Sequence, residues 1–92
     1  MVEKINIKKI AEEIRKTRDL INESNGVLEN LVFEKHDYGA SIEANRSGLL
    51  ELAYQIILLA EENESRKYID IDKASFASKS DGVLTISINK DL

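Results

Sequence analysis

The chain lacks cysteine, proline and tryptophan, and its 92 residues include one histidine and one methionine. Without cysteine it can form no disulfide, no thiolate nucleophile and no cysteine-ligated zinc site. A single histidine also excludes a multi-histidine metal site within one chain. The glycine-rich patterns that cradle phosphates are missing as well. We therefore expect a domain without a metal ion or a cofactor.

Long apolar runs and a basic surplus are missing too. The longest apolar run, Ile56–Ala60, is far shorter than the ~20 residues of a membrane span. The first residues, Met1–Asn6, contain no apolar core of the length found in signal peptides. With 17 acidic and 13 basic residues the formal net charge is -4, which leaves no surplus to neutralise phosphates. We expect a cytoplasmic protein that binds neither nucleic acid nor membranes.

The composition that remains is typical of one folded domain. The apolar fraction is 42% and the charged fraction is 33%, values that suit a globular protein and argue against disorder. A chain of this length forms one modest core, and we see no linker, repeat or low-complexity segment. We therefore treat residues 1–92 as a single domain.

Apolar residues at helical spacing predict a first helix over about Ile7–Ser24. Asn6 is suited to cap its start, and Asn25-Gly26 supplies a left-handed stop at its end. A short strand in the first residues is an alternative, because Val2, Ile5 and Ile7 are β-branched.

A second helix is predicted over about Ser47–Asn63, with Asn45 or Ser47 as its N-cap. It is apolar on most sides, and such a helix is buried on more than one side. We expect one side to contact a sheet and another to contact the first helix or a second subunit. Leu52 and Ile56 are expected in the core.

Alternating apolar and polar residues predict four strands, at about Leu28–Lys35, Ala40–Asn45, Lys67–Asp72 and Val83–Asn89. His36–Gly39 is a hairpin turn between the first two, and a polar loop carrying Phe76 precedes the last. The order α-β-β-α-β-β predicts a two-layer α+β domain. We expect an antiparallel four-stranded sheet with both helices on one face.

Three clusters contain residues that could take part in catalysis or ligand binding, and for each a structural role is favoured. His36-Asp37-Tyr38 has acid–base groups, but neighbours in a turn seldom point at one another. Asp70 and Asp72 with Asp81 have the spacing of some cation ligands, yet the glycine and bidentate glutamate of a calcium loop are missing. Ser47-Gly48 at a helix start suits an anion, but capping explains it.

A partner-binding surface is predicted on the third strand. Tyr68, Asp70 and Asp72 alternate along it and would share one face. A tyrosine among carboxylates suits recognition of a basic protein partner, although an ordinary solvent-facing sheet surface is the more common explanation of such residues. Glu43, predicted to point outward from the second strand, completes this candidate set.

The strand-to-helix junction resembles bacterial immunity protein family 32 of polymorphic toxin systems. In that family a strand leads into the pattern N-x-x-G-L-L-x-L-A and then an apolar helix, as Asn45–Ala53 and Leu58–Ala60 do here. A strand with an acidic end (Tyr68–Asp72) and a final Leu/Ile-rich strand (Val83–Ile88) follow. The similarity covers about Phe33 to Asn89. The first helix lies outside it, and Tyr68 or Ile69 stands where the family strand often carries a histidine.

The resemblance implies a non-enzymatic protein that neutralises a cognate toxin by direct binding. The alternative is a structural or accessory protein that forms a homodimer through its second and first helices. An enzyme using His36 or the Asp70/Asp72 pair is disfavoured, because no partner groups for catalysis accompany them.

Overall fold

A computed structural model of the chain describes residues 6–26, 29–64, 66–73 and 77–92. Within them the chain forms two helices and five strands in the order α1, β1, β2, α2, β3, β4, β5. The bounds are α1 Ile7–Asn25, β1 Leu31–His36, β2 Gly39–Ala44, α2 Arg46–Glu61, β3 Tyr68–Ile71, β4 Lys79–Ser80 and β5 Leu84–Ser87. The prediction of an α+β domain is confirmed. Ile7 of the alternative strand belongs to α1, while Val2, Ile5 and Phe76 lie outside the described residues.

The helix ends follow the local chemistry of their capping residues. The Asn6 side chain accepts a hydrogen bond from the Lys9 amide at 3.0 Å, and Gly26 closes α1 in the left-handed conformation (φ 62°). Asn45 caps α2 by accepting from the Gly48 amide at 2.7 Å. Both predicted helices therefore begin within a residue of their expected starts.

The strands form two sheets, not the single four-stranded antiparallel sheet that we expected. One sheet has the order β2-β1-β4, and β3 pairs with β5 in the other. The β1–β2 and β3–β5 pairs are antiparallel, but β4 runs parallel to β1. The chain after β3 returns along β1 before β5 begins, and the Ser78 amide donates to the Leu31 carbonyl at 2.8 Å. β4 thus pairs with the side of β1 that β2 leaves open, and β3 and β5 form a sheet of their own.

One buried cluster joins the two sheets. It contains Leu31 and Phe33 of β1, Ile71 of β3 and Ala77, and Ile71 is 0% exposed. The half-buried side chains packed against it are Ile42, Ala44, Leu52, Leu84 and Ile86. The core therefore receives side chains from β1, β2, α2, β3 and β5.

The helices pack mainly against each other and run antiparallel. Ser47 at the start of α2 donates to Asn22 near the end of α1 at 2.5 Å. Arg18 of α1 forms an ion pair with Glu51 of α2, and its guanidinium lies 5.8 Å from the centroid of the Tyr54 ring. α2 also contacts β2 and β3. The expectation that α2 contacts both a sheet and the first helix is confirmed, while α1 lies beside α2 and makes few sheet contacts.

Candidate protein-binding surfaces

The outer side of the β3–β5 sheet carries the predicted partner-binding residues Tyr68 and Asp70. In the antiparallel register Tyr68 pairs with Ser87 and Asp70 with Thr85, while Ile69 pairs with Ile86 on the core side. Thr85 Oγ1 donates to Asp70 Oδ1 at 2.7 Å. We call Tyr68, Asp70, Thr85 and Ser87 the tyrosine face.

A shallow cleft of about 330 Å³ opens beside this face. Its lining residues are Arg66, Tyr68, Thr85, Ser87, Ile88, Asn89 and Asp91. The Tyr68 residue is 62% exposed, so a large aromatic ring stands at the edge of a concave surface. Arg66 and Asp91 bring one positive and one negative charge to the cleft, which is therefore mixed in charge rather than purely acidic.

Arg66 adopts a backbone conformation that side-chain-bearing residues rarely occupy (φ 73°). The surrounding hydrogen bonds hold it there: its amide donates to the Ile88 carbonyl and the Ile88 amide donates to the Lys67 carbonyl, each at 3.0 Å. These bonds extend the β3–β5 pairing into the segment that lines the cleft. The position of the cleft is thus set by backbone contacts.

The other two predicted partner-binding residues lie apart from the tyrosine face. Asp72 comes one residue after the end of β3, is half-buried, and its carbonyl accepts from the Ala77 amide at 3.0 Å. Glu43 is exposed on β2, in the other sheet, where it stands opposite Val32. The structure therefore brings Tyr68 and Asp70 together and places Glu43 on a different element.

The Asn45–Gly48 junction fixes the start of α2 against the start of β1. Asn45 Oδ1 accepts from the Gly48 amide at 2.7 Å and from the Asn30 amide at 3.0 Å, which ties the start of α2 to the start of β1. Ser47 is 2% exposed and bonded to Asn22. The capping interpretation of this segment is confirmed, because the amide that would face an anion already has a side-chain acceptor.

The His36–Asp37–Tyr38 cluster is a solvent-exposed hairpin tip. The His36 and Tyr38 rings stack with centroids 6.0 Å apart, and His36 Nε2 lies 2.8 Å from Ser41 Oγ. Tyr38 is 94% exposed. Asp81 lies with the other sheet, where its Oδ2 accepts from the Lys35 amide at 3.0 Å, so it does not join Asp70. Within the described ranges there is no group of three or more metal-ligating side chains.

A further surface lies on the outer side of the helices and includes Ile56, which we predicted in the core. One side of α2 contacts α1 through Ser47, Glu51 and Tyr54. A second side faces the sheets: Gly48 is so close that an added Cβ would lie 2.3 Å from the Asn30 carbonyl oxygen, and Leu52 packs on the core. The third side carries Leu49, Ala53, Ile56 and Ala60, spaced at four, three and four residues.

That third side is left uncovered in the described structure. Leu49 is 53% exposed, Ile56 is 39% exposed and Ala60 is also exposed. The expectation that Ile56 lies in the core is wrong, because the helix uses its other two sides for the sheets and for α1.

α1 continues the same surface. Glu29, which precedes β1, contacts Arg18 and Asn22, so that flank of α1 faces the sheets. Ile10, Ile14 and Ile21 lie on the opposite flank by helical spacing. Ile10 is 44% exposed and the other two are half-buried. We call this surface the helical outer face; its residues are Ile10, Ile14, Ile21, Leu49, Leu50, Ala53, Ile56, Ile57 and Ala60.

The part of the chain that the structure describes holds no helix long and apolar enough to cross a membrane. Comparison of the chain with family models, with curated proteins and with solved structures returns no match.

Proposed function

We propose that this chain is a non-enzymatic protein-binding domain that recognises its partner through the tyrosine face. The observation that carries the proposal is the 62% exposed Tyr68 beside a cleft on the outer side of the β3–β5 sheet. Tyrosine is enriched among the residues that dominate binding energy, because its ring buries a large area at a low cost in side-chain entropy.

The geometry around Tyr68 supports this role. The residues flanking the ring stand on a paired strand, and Asp70 is held by the Thr85 hydroxyl at 2.7 Å. A carboxylate oriented before binding loses less conformational entropy when it accepts a hydrogen bond from a partner. With a net charge of -4, the chain would attract a basic partner during association.

The specific partner that we propose is a bacterial toxin domain. The resemblance of the Asn45–Ala53 junction and of the following strands to immunity protein family 32 supports this partner class. An immunity protein neutralises its toxin by tight binding and needs no catalytic group in its own chain. In this proposal the junction builds the fold, and the exposed side chains of β3 and β5 give specificity.

The test uses the toxin domain encoded beside this gene. The purified domain is titrated with the wild-type chain and with Tyr68→Ala, and the dissociation constant is measured by calorimetry. We expect Tyr68→Ala to weaken binding by about 2 kcal/mol, which is about a 30-fold rise in Kd. In cells expressing the toxin domain, the wild-type chain should restore growth.

Tyr38→Ala is the matched control, because it removes the same side chain from a 94% exposed site at the tip of the β1–β2 hairpin. Its Kd should equal that of the wild type. A Tyr68→Ala variant that binds as tightly as the wild type would place the interface elsewhere. A neighbouring gene set without a toxin, or a toxin domain that the chain does not bind, would refute the immunity proposal.

A further inference from the structure

We propose that the helical outer face is a self-association surface, on which a second copy of this chain packs with its α2 antiparallel to the first. This inference is independent of the proposed function, because the tyrosine face lies on the β3–β5 sheet and stays open when the helices are covered. A dimer would then present two tyrosine faces.

The composition of the helical outer face favours a second copy as its partner. Along α2 the exposed positions between Arg46 and Glu61 are Leu49, Ile56 and Ala60, with no charged residue among them. A contiguous apolar surface of this kind is characteristic of a protein interface. A second copy of α2 would cover this surface with its own apolar side and would bury no unpaired charge. A carboxylate-rich partner helix would bury unpaired charges there.

The two ends of α2 carry opposite charges that favour an antiparallel pair. Arg46 opens α2 and Glu61 closes it, and both are exposed. Neither forms an ion pair with another residue of the described ranges. When two copies of α2 lie antiparallel, each Arg46 meets the Glu61 of the other chain. A parallel pair would instead bring two arginines together at one end and two glutamates at the other.

The apolar pattern of α2 is also symmetric about Ala53. Leu49 and Ile57 lie four residues on either side of it, and Leu50 and Ile56 lie three residues on either side. A two-fold axis through Ala53 therefore places apolar residues opposite apolar residues in a self-complementary contact. The small Ala53 side chain at the crossing point allows the two helix axes to approach to about 8 Å.

The size of the face comes close to that of an ordinary dimer interface. The 16-residue α2 is about 24 Å long at a rise of ~1.5 Å per residue, and α1 beside it doubles the width to about 20 Å. Stable interfaces bury about 800 Å² of accessible surface on each partner. A footprint of this length and width, with Ile10, Ile14 and Ile21 included, approaches that area once the side chains interlock.

The first experiment measures the molar mass of the full chain by light scattering coupled to gel filtration. We expect about twice the 10.4 kDa of one chain. Ile56→Asp places a charge in the centre of the contact and should raise the dimer dissociation constant at least about 100-fold. Val83→Asp is the matched control, since Val83 is 52% exposed, precedes β5 and lies off the helices; it should leave the dimer intact.

The second experiment tests the antiparallel arrangement and exploits the lack of cysteine in the sequence. Ala53→Cys supplies one thiol at the two-fold axis, and mild oxidation should link two chains through it. Ala60→Cys should not form this link, because its counterpart in the other chain lies about four helical turns away, toward the other end of the contact. Arg46→Glu should weaken the dimer, and the double variant Arg46→Glu with Glu61→Arg should restore it.

Several results would overturn the proposal. A wild-type chain that stays monomeric up to about 1 mM, where even a weak dimer would be populated, excludes self-association. A dimer that survives Ile56→Asp uses another surface. Cross-linking through Ala60→Cys but not through Ala53→Cys excludes the two-fold axis at Ala53. Loss of the dimer leaves the toxin-binding test unaffected, so the two proposals fail separately.

Discussion

At the scale of single residues, Gly48 shows how a close approach between elements constrains one position. Its Cα lies where α2 crosses the start of β1, and an added Cβ would be 2.3 Å from the Asn30 carbonyl oxygen and 3.0 Å from the Ala44 Cβ. Those atoms are backbone and core, so they cannot move aside cheaply. Gly48 therefore allows α2 to pack closely against the chain at Asn30 and Ala44, and its role is packing rather than anion binding.

Gly48→Ala is expected to destabilise the protein, contrary to the usual effect inside a helix. Alanine normally gains about 1 kcal/mol over glycine in a helix, whereas the clash here should lower the free energy of unfolding by about 1–3 kcal/mol. Urea denaturation followed by circular dichroism measures the change. Ala60→Gly, in the exposed last turn of α2, calibrates the helix preference alone and should cost about 0.5–1 kcal/mol. A stabilised Gly48→Ala protein would contradict the packing described.

At the scale of the element, α2 separates two residues that look equivalent in the sequence. Leu52 and Ile56 are both large, apolar and four residues apart, yet Leu52 packs against the core and Ile56 is 39% exposed. Leu52→Ala should cost at least about 2 kcal/mol, because it removes methyl groups from a packed site. Ile56→Ala should cost less than about 1 kcal/mol.

This comparison requires dilute protein, in which the chain is monomeric and no second copy covers the helical outer face. Thermal unfolding at several concentrations supplies the check. If the two variants lose equal stability in dilute solution, then α2 is covered on its third side within a single chain, and the three-sided description of the helix is wrong.

The helices were the most predictable elements, because their ends depend on neighbouring residues. Asn6, Gly26 and Asn45 each make the capping interaction that their side chains or backbone freedom favour. The exposure of Ile56 was not predictable, since an apolar stripe of α2 does not show which sides have a partner. Tyr68 and Asp70 share a face by simple alternation, but the cleft beside them depends on Arg66 and Ile88, which hydrogen bonding joins across 22 positions of sequence.

At the scale of the whole molecule, the division into two sheets could not be predicted from the sequence. β4 contains two polar residues, Lys79 and Ser80, and its pattern is indistinguishable from a loop. It becomes a strand because carbonyl groups of β1 accept hydrogen bonds from the amides of Ser78 and Asp81 on either side of it. Such a pairing depends on where the chain returns in space, and local strand propensity does not predict it.

The two sheets should nevertheless unfold together, because one apolar cluster is shared between them. Ile71 of β3 is 0% exposed and packs with Leu31 and Phe33 of β1. Ile71→Ala should therefore lower the free energy of unfolding by about 2–5 kcal/mol, as loss of fully buried methyl groups does. In a cooperative domain this loss is felt by every strand that depends on the cluster.

Native-state hydrogen exchange can measure that cooperativity strand by strand. The amides of β1 and those of β5 should lose protection by the same free energy in Ile71→Ala, although they belong to different sheets. The control is Val83→Ala, at a 52% exposed site, which should change neither set measurably. A loss confined to β3 and β5 would mean that each sheet unfolds as a separate unit, and the shared cluster would then be a contact between two units rather than one core.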